Sequence, residues 1–211
     1  MYKPNFPKSP LQIKETNDPE NQKSLTEERR VDGSANTNYQ VQTSASYLIE
    51  KLHLKPNPEG GHYLQIYQDK LAIKKAGLSD KFDGDRCYST AIYYLLDGKN
   101  FSSFHRIKSD EVWHYYTGNT SIKIYEIKVD GKLIIHNLGK NIEKGENFVC
   151  VVEKESWFGA ELSDQSNDSF ALVGCTVAPG FEYKDFEIAT FEYLSENFPQ
   201  YLETIKKLTR K

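Results

Sequence analysis

Residues 104–118 read FHRIKSDEVWHYYTG and concentrate two His, two acids, one Arg, one Trp and two Tyr in fifteen positions. Side chains alternate between the two faces of a β-strand. His105 is therefore predicted to share a face with Ser103, and Glu111 to share a face with Trp113. If the turn between the two predicted strands brings them together, an imidazole meets a carboxylate inside the fold. Such a pair is half of an acid–base site or half of a metal site.

This stretch lies within a series of short β-prone segments that are separated by turn residues. Asp130-Gly131, for example, is a strong two-residue hairpin signal between two of them. Short strands at this spacing are typical of a mainly β fold, either a sandwich or a closed barrel. The predicted strands span residues 62–67, 86–96, 101–107, 111–117, 121–129, 132–137, 147–153, 157–162 and 170–178.

Helices are predicted on both sides of the strand series. Apolar residues at helical spacing indicate one helix before the strands, over residues 46–54. Two more follow the strands, over residues 191–198 and 200–208, and Pro199 separates them. These C-terminal helices are expected to cover an edge or a face of a sheet.

The first 43 residues differ in composition from the rest of the 211-residue chain. Polar and charged residues dominate there, and apolar residues occur singly. Such a segment buries too little apolar surface to offset the entropy lost on ordering. The predicted organisation is a disordered N-terminal tail at residues 1–43 and one domain, with a C-terminal helical segment, at residues 44–211.

Composition excludes several partners. The formal net charge is −3, so the chain has no basic surface of the kind that binds nucleic acid. No apolar run approaches the roughly 20 residues of a membrane-spanning helix. The three cysteines, Cys87, Cys150 and Cys175, are widely spaced and form no CxxC pair, which favours reduced thiols in a cytosolic or nuclear protein. A cytoplasmic location is predicted.

Five motifs in fixed order resemble the cupin superfamily and, within it, the Cupin_5 or DUF985 family of unknown function. The likeness covers about residues 45–209 and implies a jelly roll, also called a double-stranded β-helix. It also implies a homodimer and a ligand pocket between the two sheets, but no established reaction. The motifs are Pro58–Gly61, Thr90–Leu96, Phe104–Arg106, Ser109–His114 with Gly118, and Leu172–Phe181.

The metal-binding pattern of the cupin superfamily is incomplete in this chain. The resemblance leads one to expect two His one residue apart and then Glu, whereas His105 is followed by Ile107 and then Glu111. A further His is expected in a second motif, but residues 153–158 contain none. Two ligands are too few for a tight zinc or iron site. No cofactor is therefore predicted, and a weak divalent metal at His105 and Glu111 stays open.

His105 is predicted to act as a general base that Glu111 orients, because imidazole titrates near neutral pH. The alternative is a core histidine that bonds only to a strand neighbour. An isomerase also needs an acid, and Tyr94 or Tyr115 is the candidate.

Arg86 and Arg106 are the two Arg of the β region, and a guanidinium binds a carboxylate or phosphate through two parallel hydrogen bonds. They are predicted either to hold an anionic group of the ligand or to form an ion pair with Glu59, Asp110 or Glu111. The other predicted ligand contacts are Trp113, which would form an aromatic wall, and Thr90, Glu59 and Tyr63.

These residues predict a protein that binds a small polar molecule, anionic or sugar-like, and that isomerises or epimerises it. For the reaction, the support is a fold-level likeness to sugar-nucleotide epimerases. A non-catalytic ligand-binding or sensor module is the alternative, with His105 and Glu111 only orienting the ligand. A metal-dependent dioxygenase is a third reading, weakened by the missing His residues. His114 is predicted to face away from Trp113, at a dimer seam or the surface.

Overall fold

The computed structural model describes residues 43–98 and 100–210, and this part of the chain is mainly β. The helices are α1 (Ala45–Lys51), α2 (Phe191–Asn197) and α3 (Leu202–Lys207). The strands are β1 (Lys55–Pro56), β2 (His62–Gln68), β3 (Ala72–Ile73), β4 (Arg86–Cys87), β5 (Thr90–Asp97), β6 (Phe101–Arg106), β7 (Asp110–Gly118), β8 (Ile122–Ile127), β9 (Leu133–Leu138), β10 (Val149–Val152), β11 (Trp157–Leu162), β12 (Phe170–Ala178) and β13 (Glu187–Ile188).

The strands form two main antiparallel sheets that pack face to face. The larger sheet has the order β1-β2-β5-β12-β7-β10, and the smaller one has the order β13-β6-β11-β8-β9. Strands β3 and β4 form a separate two-stranded ribbon. From β5 to β13 successive strands switch between the sheets, except at the β8–β9 hairpin, and such switching is typical of a jelly roll. The predicted fold class, a cupin jelly roll with a short N-terminal helix and C-terminal helices, is confirmed.

The main core lies between the two sheets. Residues from both contribute to it, because every second side chain of each strand faces the other sheet. The larger sheet supplies Tyr94, Leu96, Trp113, Val173 and Cys175, and the smaller sheet supplies Ile122, Ile124, Phe158, Ala160 and Leu162. Polar groups that enter this layer are therefore surrounded by apolar side chains.

The helices cover the outer faces of the sheets. Helix α1 begins after Ser44, whose hydroxyl accepts a hydrogen bond from the Tyr47 N–H, and its apolar residues pack on Leu95 and Leu172 of the larger sheet. Helices α2 and α3 bury Leu194, Ile205 and Leu208 against Phe104 and Ile127 of the smaller sheet. The predicted cover by the C-terminal helices is thus observed. The helix predicted over residues 46–54 is shorter at its C-terminal end, where the chain turns into β1.

Strand β6 contains a bulge that changes which residues face inward. Phe158 of β11 pairs with His105, but Ala160 pairs with Ser102, so β6 has one extra residue in this interval. An extra residue shifts the alternation of side chains beyond it. Ser102 and His105 consequently face the same group in the core, and the prediction that His105 shares its face with Ser103 is wrong.

Two further predictions differ from the structure or lie outside it. The strand predicted over residues 86–96 is divided into β4 and β5, and β4 pairs with β3 instead of joining the larger sheet. The tail predicted at residues 1–43 falls almost wholly outside the described residues. Within the described ranges, no helix is long and apolar enough to cross a membrane.

Candidate site between the two sheets

Glu59 enters the space between the sheets on a tight turn. Gly60 has φ +120° and Gly61 has φ +69°, which favour glycine. A Cβ on Gly60 would collide with the carbonyl oxygen of Phe101, so the turn packs closely on β6. The Ser103 N–H donates to the Glu59 carbonyl oxygen at 2.8 Å. The sequence Pro-Glu-Gly-Gly therefore fixes the Glu59 backbone against the strand that carries His105.

The Glu59 carboxyl contacts two side chains of β6. The Ser102 hydroxyl donates to its Oε1 at 3.0 Å, and its Oε2 lies 3.4 Å from His105 Nε2. The other ring nitrogen, His105 Nδ1, lies 2.8 Å from the carbonyl oxygen of Ser103. Because a carbonyl oxygen only accepts, Nδ1 carries the hydrogen, and in the neutral ring Nε2 is left as an acceptor. His105 is thus held in one tautomer, with its basic nitrogen turned toward Glu59.

Burial shifts the titration of this pair and of Glu111. It raises the pKa of Glu59 to about 8, although the Ser102 hydroxyl acts in the opposite direction. It raises the pKa of Glu111 to about 7, against the effect of the nearby His105. Burial also lowers the pKa of His105, while Glu111 acts to raise it. Near neutral pH, Glu59 is therefore mostly protonated and His105 mostly neutral, and Glu111 is close to the midpoint of its titration.

Glu111 and Trp113 approach this pair from β7, in the opposite sheet. Both are buried, as the predicted alternation requires. The indole N–H of Trp113 and the thiol of Cys175 face the Glu111 carboxyl and act to lower its pKa, against the larger effect of burial. The Trp113 N–H does not reach hydrogen-bond geometry with Glu111 or with any other described residue. The sequence thus placed His105 and Glu111 in one site, but Glu59 is the direct neighbour of the imidazole.

Aromatic side chains surround His105. The centroid of its ring lies 4.0 Å from that of Phe158 and 5.3 Å from that of Phe186. Phe186 packs on Phe181, and the Tyr183 hydroxyl lies 2.8 Å from that of Tyr63. Of these residues, the sequence reading selected Tyr63. The segment after Pro179 was the missed signal, because it carries three aromatic residues in six positions.

A family model described as Cupin superfamily (DUF985), Cupin_5, matches residues 46–189. The chain belongs to this family. Protein SO0799 from Shewanella oneidensis is similar, with 33% identity and a TM-score of 0.71 over 80% of this chain and 98% of that one. A hypothetical protein from Leishmania major has 28% identity and a TM-score of 0.72 over 80% of this chain and 100% of that one. A search of curated protein sequences gave no match.

The DUF985 motifs occupy defined places in the site. The Pro-Glu-Gly-Gly turn supplies Glu59, the Phe-His-Arg motif supplies His105, and the motif at residues 109–114 supplies Glu111 and Trp113. The family assignment made from the sequence is confirmed. Three separate motifs thus meet in one buried group, although neither the family model nor the similar structures assign it an activity.

Tyr94, predicted as an acid, faces the core but is already bonded. Its hydroxyl donates to the Gly60 carbonyl oxygen at 2.9 Å, and burial raises its pKa well above the usual value. Tyr115, the other predicted acid, donates to the carbonyl oxygen of Thr120 at 2.9 Å. Thr90, predicted as a ligand contact, accepts a hydrogen bond from the Phe181 N–H. The hydroxyl hydrogens of Tyr94 and Tyr115 are therefore used within the chain, whereas the bond to Thr90 uses its oxygen only as an acceptor.

Arg86 is buried, with a side chain that is 0% exposed, and its donors are all used within the chain. Nε and Nη2 bind the two carboxylate oxygens of Asp185, Nη2 also binds Asp83, and Nη1 binds two backbone carbonyl oxygens. No N–H group is left for a ligand. The structure favours the ion-pair alternative, with Asp185 and Asp83 as partners in place of the three acids expected from the sequence.

Arg106 lies on the outer side of the smaller sheet. It bonds to Glu187 at 2.7 Å and stacks 4.4 Å from the ring centroid of Trp157. Its neighbour His105 faces inward, so strand alternation turns Arg106 away from the site. Neither Arg86 nor Arg106 therefore reaches the Glu59–His105 pair. The structure does not place either guanidinium where it could bind an anionic group of a ligand at this pair.

The donor set does not fit a tightly held metal. Among the residues that the structure describes, no group of three or more His, Cys, Asp or Glu side chains is arranged to hold a metal ion. His105 Nε2 is directed at the Glu59 carboxyl, which burial keeps protonated up to a pKa of about 8. A metal would have to displace that proton as well as the imidazole contact.

Proposed function

We propose that this protein binds a small polar molecule between the two sheets, and that His105, which lies beside Glu59, exchanges a proton with that molecule together with Glu111. The observation that carries the proposal is the 3.4 Å contact between His105 Nε2 and Glu59 Oε2, with His105 Nδ1 held by the Ser103 carbonyl oxygen. An imidazole in a fixed tautomer beside a carboxyl of raised pKa is suited to general acid–base chemistry.

An isomerisation of a hydroxy-carbonyl compound uses these groups in a balanced sequence. His105 Nε2 takes the proton from the carbon next to the carbonyl, and the electron pair of that C–H bond becomes the double bond of an enediol. The protonated Glu111 carboxyl gives its proton to the carbonyl oxygen, for which its pKa of about 7 is suited. Reverse transfers at the neighbouring carbon complete the reaction. In this proposal Glu111 is the acid, the role predicted from the sequence for Tyr94 or Tyr115.

A non-catalytic binding module is the second candidate. It is favoured by Tyr94, which was predicted as the catalytic acid. The Tyr94 hydroxyl already donates to the Gly60 carbonyl oxygen, so its proton is not directed at a ligand. In that case Glu59, His105 and Glu111 orient a ligand through hydrogen bonds and no bond to carbon is broken.

Deuterium incorporation distinguishes the two candidates. The protein is incubated in D₂O with small hydroxy-ketones, and proton NMR follows loss of the signal from the exchanging C–H. Exchange that His105→Asn abolishes and His114→Asn retains supports the isomerase. His114 is the matched control because it directly follows Trp113 on β7, so strand alternation turns its side chain to the opposite face. Binding that depends on His105 without any exchange favours the binding module, and the absence of both rejects the proposal.

We also propose that the protein forms a homodimer in the cytoplasm. Strand β10 is an edge of the larger sheet, and Val149 and Val151 on it are about half exposed, as is the neighbouring Tyr116. An exposed edge strand with apolar side chains pairs readily with another chain. Light scattering coupled to size-exclusion chromatography tests this, since Val149→Lys with Val151→Lys is expected to shift a dimer to a monomer.

A further inference from the structure

The indole nitrogen of Trp113 is a buried donor without a partner. Its side chain is 1% exposed, and Nε1 faces the Glu111 carboxyl but makes no hydrogen bond of full geometry with any described residue. Buried polar groups are nearly always paired, so an orphan donor that faces a candidate site indicates a missing acceptor. The chain contains two Trp, and the other, Trp157, packs outside the barrel against Arg106 and Tyr193.

The surroundings of Trp113 limit what that acceptor is. Its ring packs at right angles on Tyr94 and Phe158, with centroids 5.6 Å and 6.4 Å away. Phe158 also packs on His105, and Glu111 interacts with both Trp113 and His105. The orphan donor and the basic nitrogen of His105 therefore border the same small region, one from each sheet.

The charged groups around Glu59 and Glu111 limit the charge that a ligand can carry. No Lys or Arg side chain within the described ranges forms an ion pair with Glu59 or Glu111, and the charged groups that act on Glu111 are His105 and Glu59. An anion would enter beside two carboxyl groups with no cation to balance it. A protonated amine would pair with those carboxyl groups when they are ionised, but the ammonium group itself has no lone pair for the Trp113 N–H.

We propose, on the basis of the proposed binding function, that the ligand is an uncharged hydroxy-carbonyl compound. One of its oxygens accepts a hydrogen bond from Trp113 Nε1, and the carbon that bears its hydroxyl faces His105 Nε2. Trp113 is thereby a specificity-determining residue, selecting an acceptor oxygen that carries no charge. The sequence reading gave it only the role of an aromatic wall.

Indole NMR tests this in the whole protein. Labelling Trp with ¹⁵N gives two indole N–H signals, and Trp113→Phe and Trp157→Phe assign them by deletion. Three probes of equal carbon number differ in charge: hydroxyacetone is neutral, lactate is an anion, and 1-amino-2-propanol is a cation. Hydroxyacetone is expected to move the Trp113 signal downfield and to leave the Trp157 signal in place. Trp113→Phe is expected to weaken hydroxyacetone binding roughly tenfold, the loss of one hydrogen bond, and Trp157→Phe is expected to leave it unchanged.

The outcomes separate this inference from the proposed function. If lactate or 1-amino-2-propanol binds with dependence on His105 while hydroxyacetone does not, the site binds polar molecules but the ligand class is wrong. If hydroxyacetone binds through His105 and the Trp113 signal stays unmoved, the assigned role of the indole is wrong. If no probe binds with dependence on His105, the inference and the proposed function both fail. A Trp113→Phe variant that does not fold leaves the wild-type signals as the deciding measurement.

Discussion

Asp185 and Glu59 are both buried carboxyl groups, yet the fold surrounds them with different partners. Asp185 accepts two hydrogen bonds from Arg86 and lies 3.2 Å from Lys108 Nζ, and these cations lower its pKa despite burial. Glu59 has a serine hydroxyl and a neutral imidazole, and burial raises its pKa to about 8. The difference shows that burial alone does not fix a carboxyl group's charge, because the adjacent cations decide it.

The two carboxyl groups also differ in what they can do. Asp185 is a structural anion: with Arg86 it ties the segment that carries Tyr183 and Phe186 to the loop before β4. Glu59 keeps a proton that it can exchange near neutral pH, which suits a functional group. Substitutions at the partners of the two carboxyl groups, or at Glu59 itself, test this difference.

The largest effect is expected from Arg86→Ala, which leaves the Asp185 carboxylate buried with Lys108 as its remaining cation. Its side chain is only 4% exposed, so water does not replace the guanidinium. Removing one partner of a buried ion pair typically lowers the free energy of unfolding by about 3–5 kcal/mol. Urea unfolding followed by circular dichroism measures this. A loss below about 1 kcal/mol would show that the cluster is solvated and that the contrast with Glu59 is misplaced.

The next effect is a pH dependence that Glu59→Gln should remove. The pKa of Glu59 is raised from 4.5 to about 8, so the folded state binds this proton more tightly than the unfolded state does. The resulting stability is fully present below the unfolded pKa and is lost as pH rises through about 8. Glutamine resembles the protonated carboxyl at every pH. The variant is therefore expected to match wild type near pH 5 and to exceed it by about 1–3 kcal/mol near pH 9.

Glu143→Gln is the matched control for this titration, because Glu143 is exposed. It should leave the pH profile of stability unchanged. His105 acts in the other direction, since its lowered pKa means that stability falls as pH drops below about 6.5. Unfolding curves across this range therefore separate an alkaline loss, due to Glu59 and Glu111, from an acid loss. Equal alkaline losses in wild type and Glu59→Gln would contradict the raised pKa.

A smaller change is expected from Ser102→Ala. The hydroxyl stabilises the ionised form of Glu59, so its loss should raise the pKa of that carboxyl further. Carbon-13 NMR of labelled Glu side chains measures the midpoint directly. Ser103→Ala is the control, because the Ser103 hydroxyl accepts from Arg210 on the other side of β6. If both variants shift the Glu59 midpoint equally, the bulge does not separate the two serines as described.

The sequence predicted where several strands begin and end, but it did not predict every side chain that faces the core. Strands β11 and β12 begin and end where predicted, because β-branched and aromatic runs bounded by turn residues define them. The inward face of β7 at Glu111 and Trp113 also follows from simple alternation, because the bulge of this strand comes later, at Tyr116. The face of β6 does not, since a bulge is set by pairing with another strand and leaves no clear mark in the sequence.

The assignment of ion-pair partners failed for a related reason. Arg86 and Asp185 are 99 positions apart, and nothing in either segment indicates that they meet. Glu59 was selected as a ligand contact, but its approach to His105 depends on a turn that docks on β6 from outside the strand series. Long-range contacts of this kind come from the topology, which the family resemblance supplied only in outline.

The smallest effect is expected from Arg106→Lys, which compares the exposed Arg with the buried one. The Arg106 side chain is 34% exposed, and its bond to Glu187 lies on the outer side of the sheet. Exposed ion pairs contribute about 0–1 kcal/mol, and lysine keeps the charge while it loses the flat stacking on Trp157. Stability should therefore fall by less than about 1 kcal/mol, and hydroxyacetone binding should stay unchanged. Calorimetric titration of the variant measures the second expectation. A clear loss of hydroxyacetone affinity would mean that Arg106 reaches the ligand after all, as the sequence reading expected, and that the space beside Glu59 and Glu111 is not free of cations.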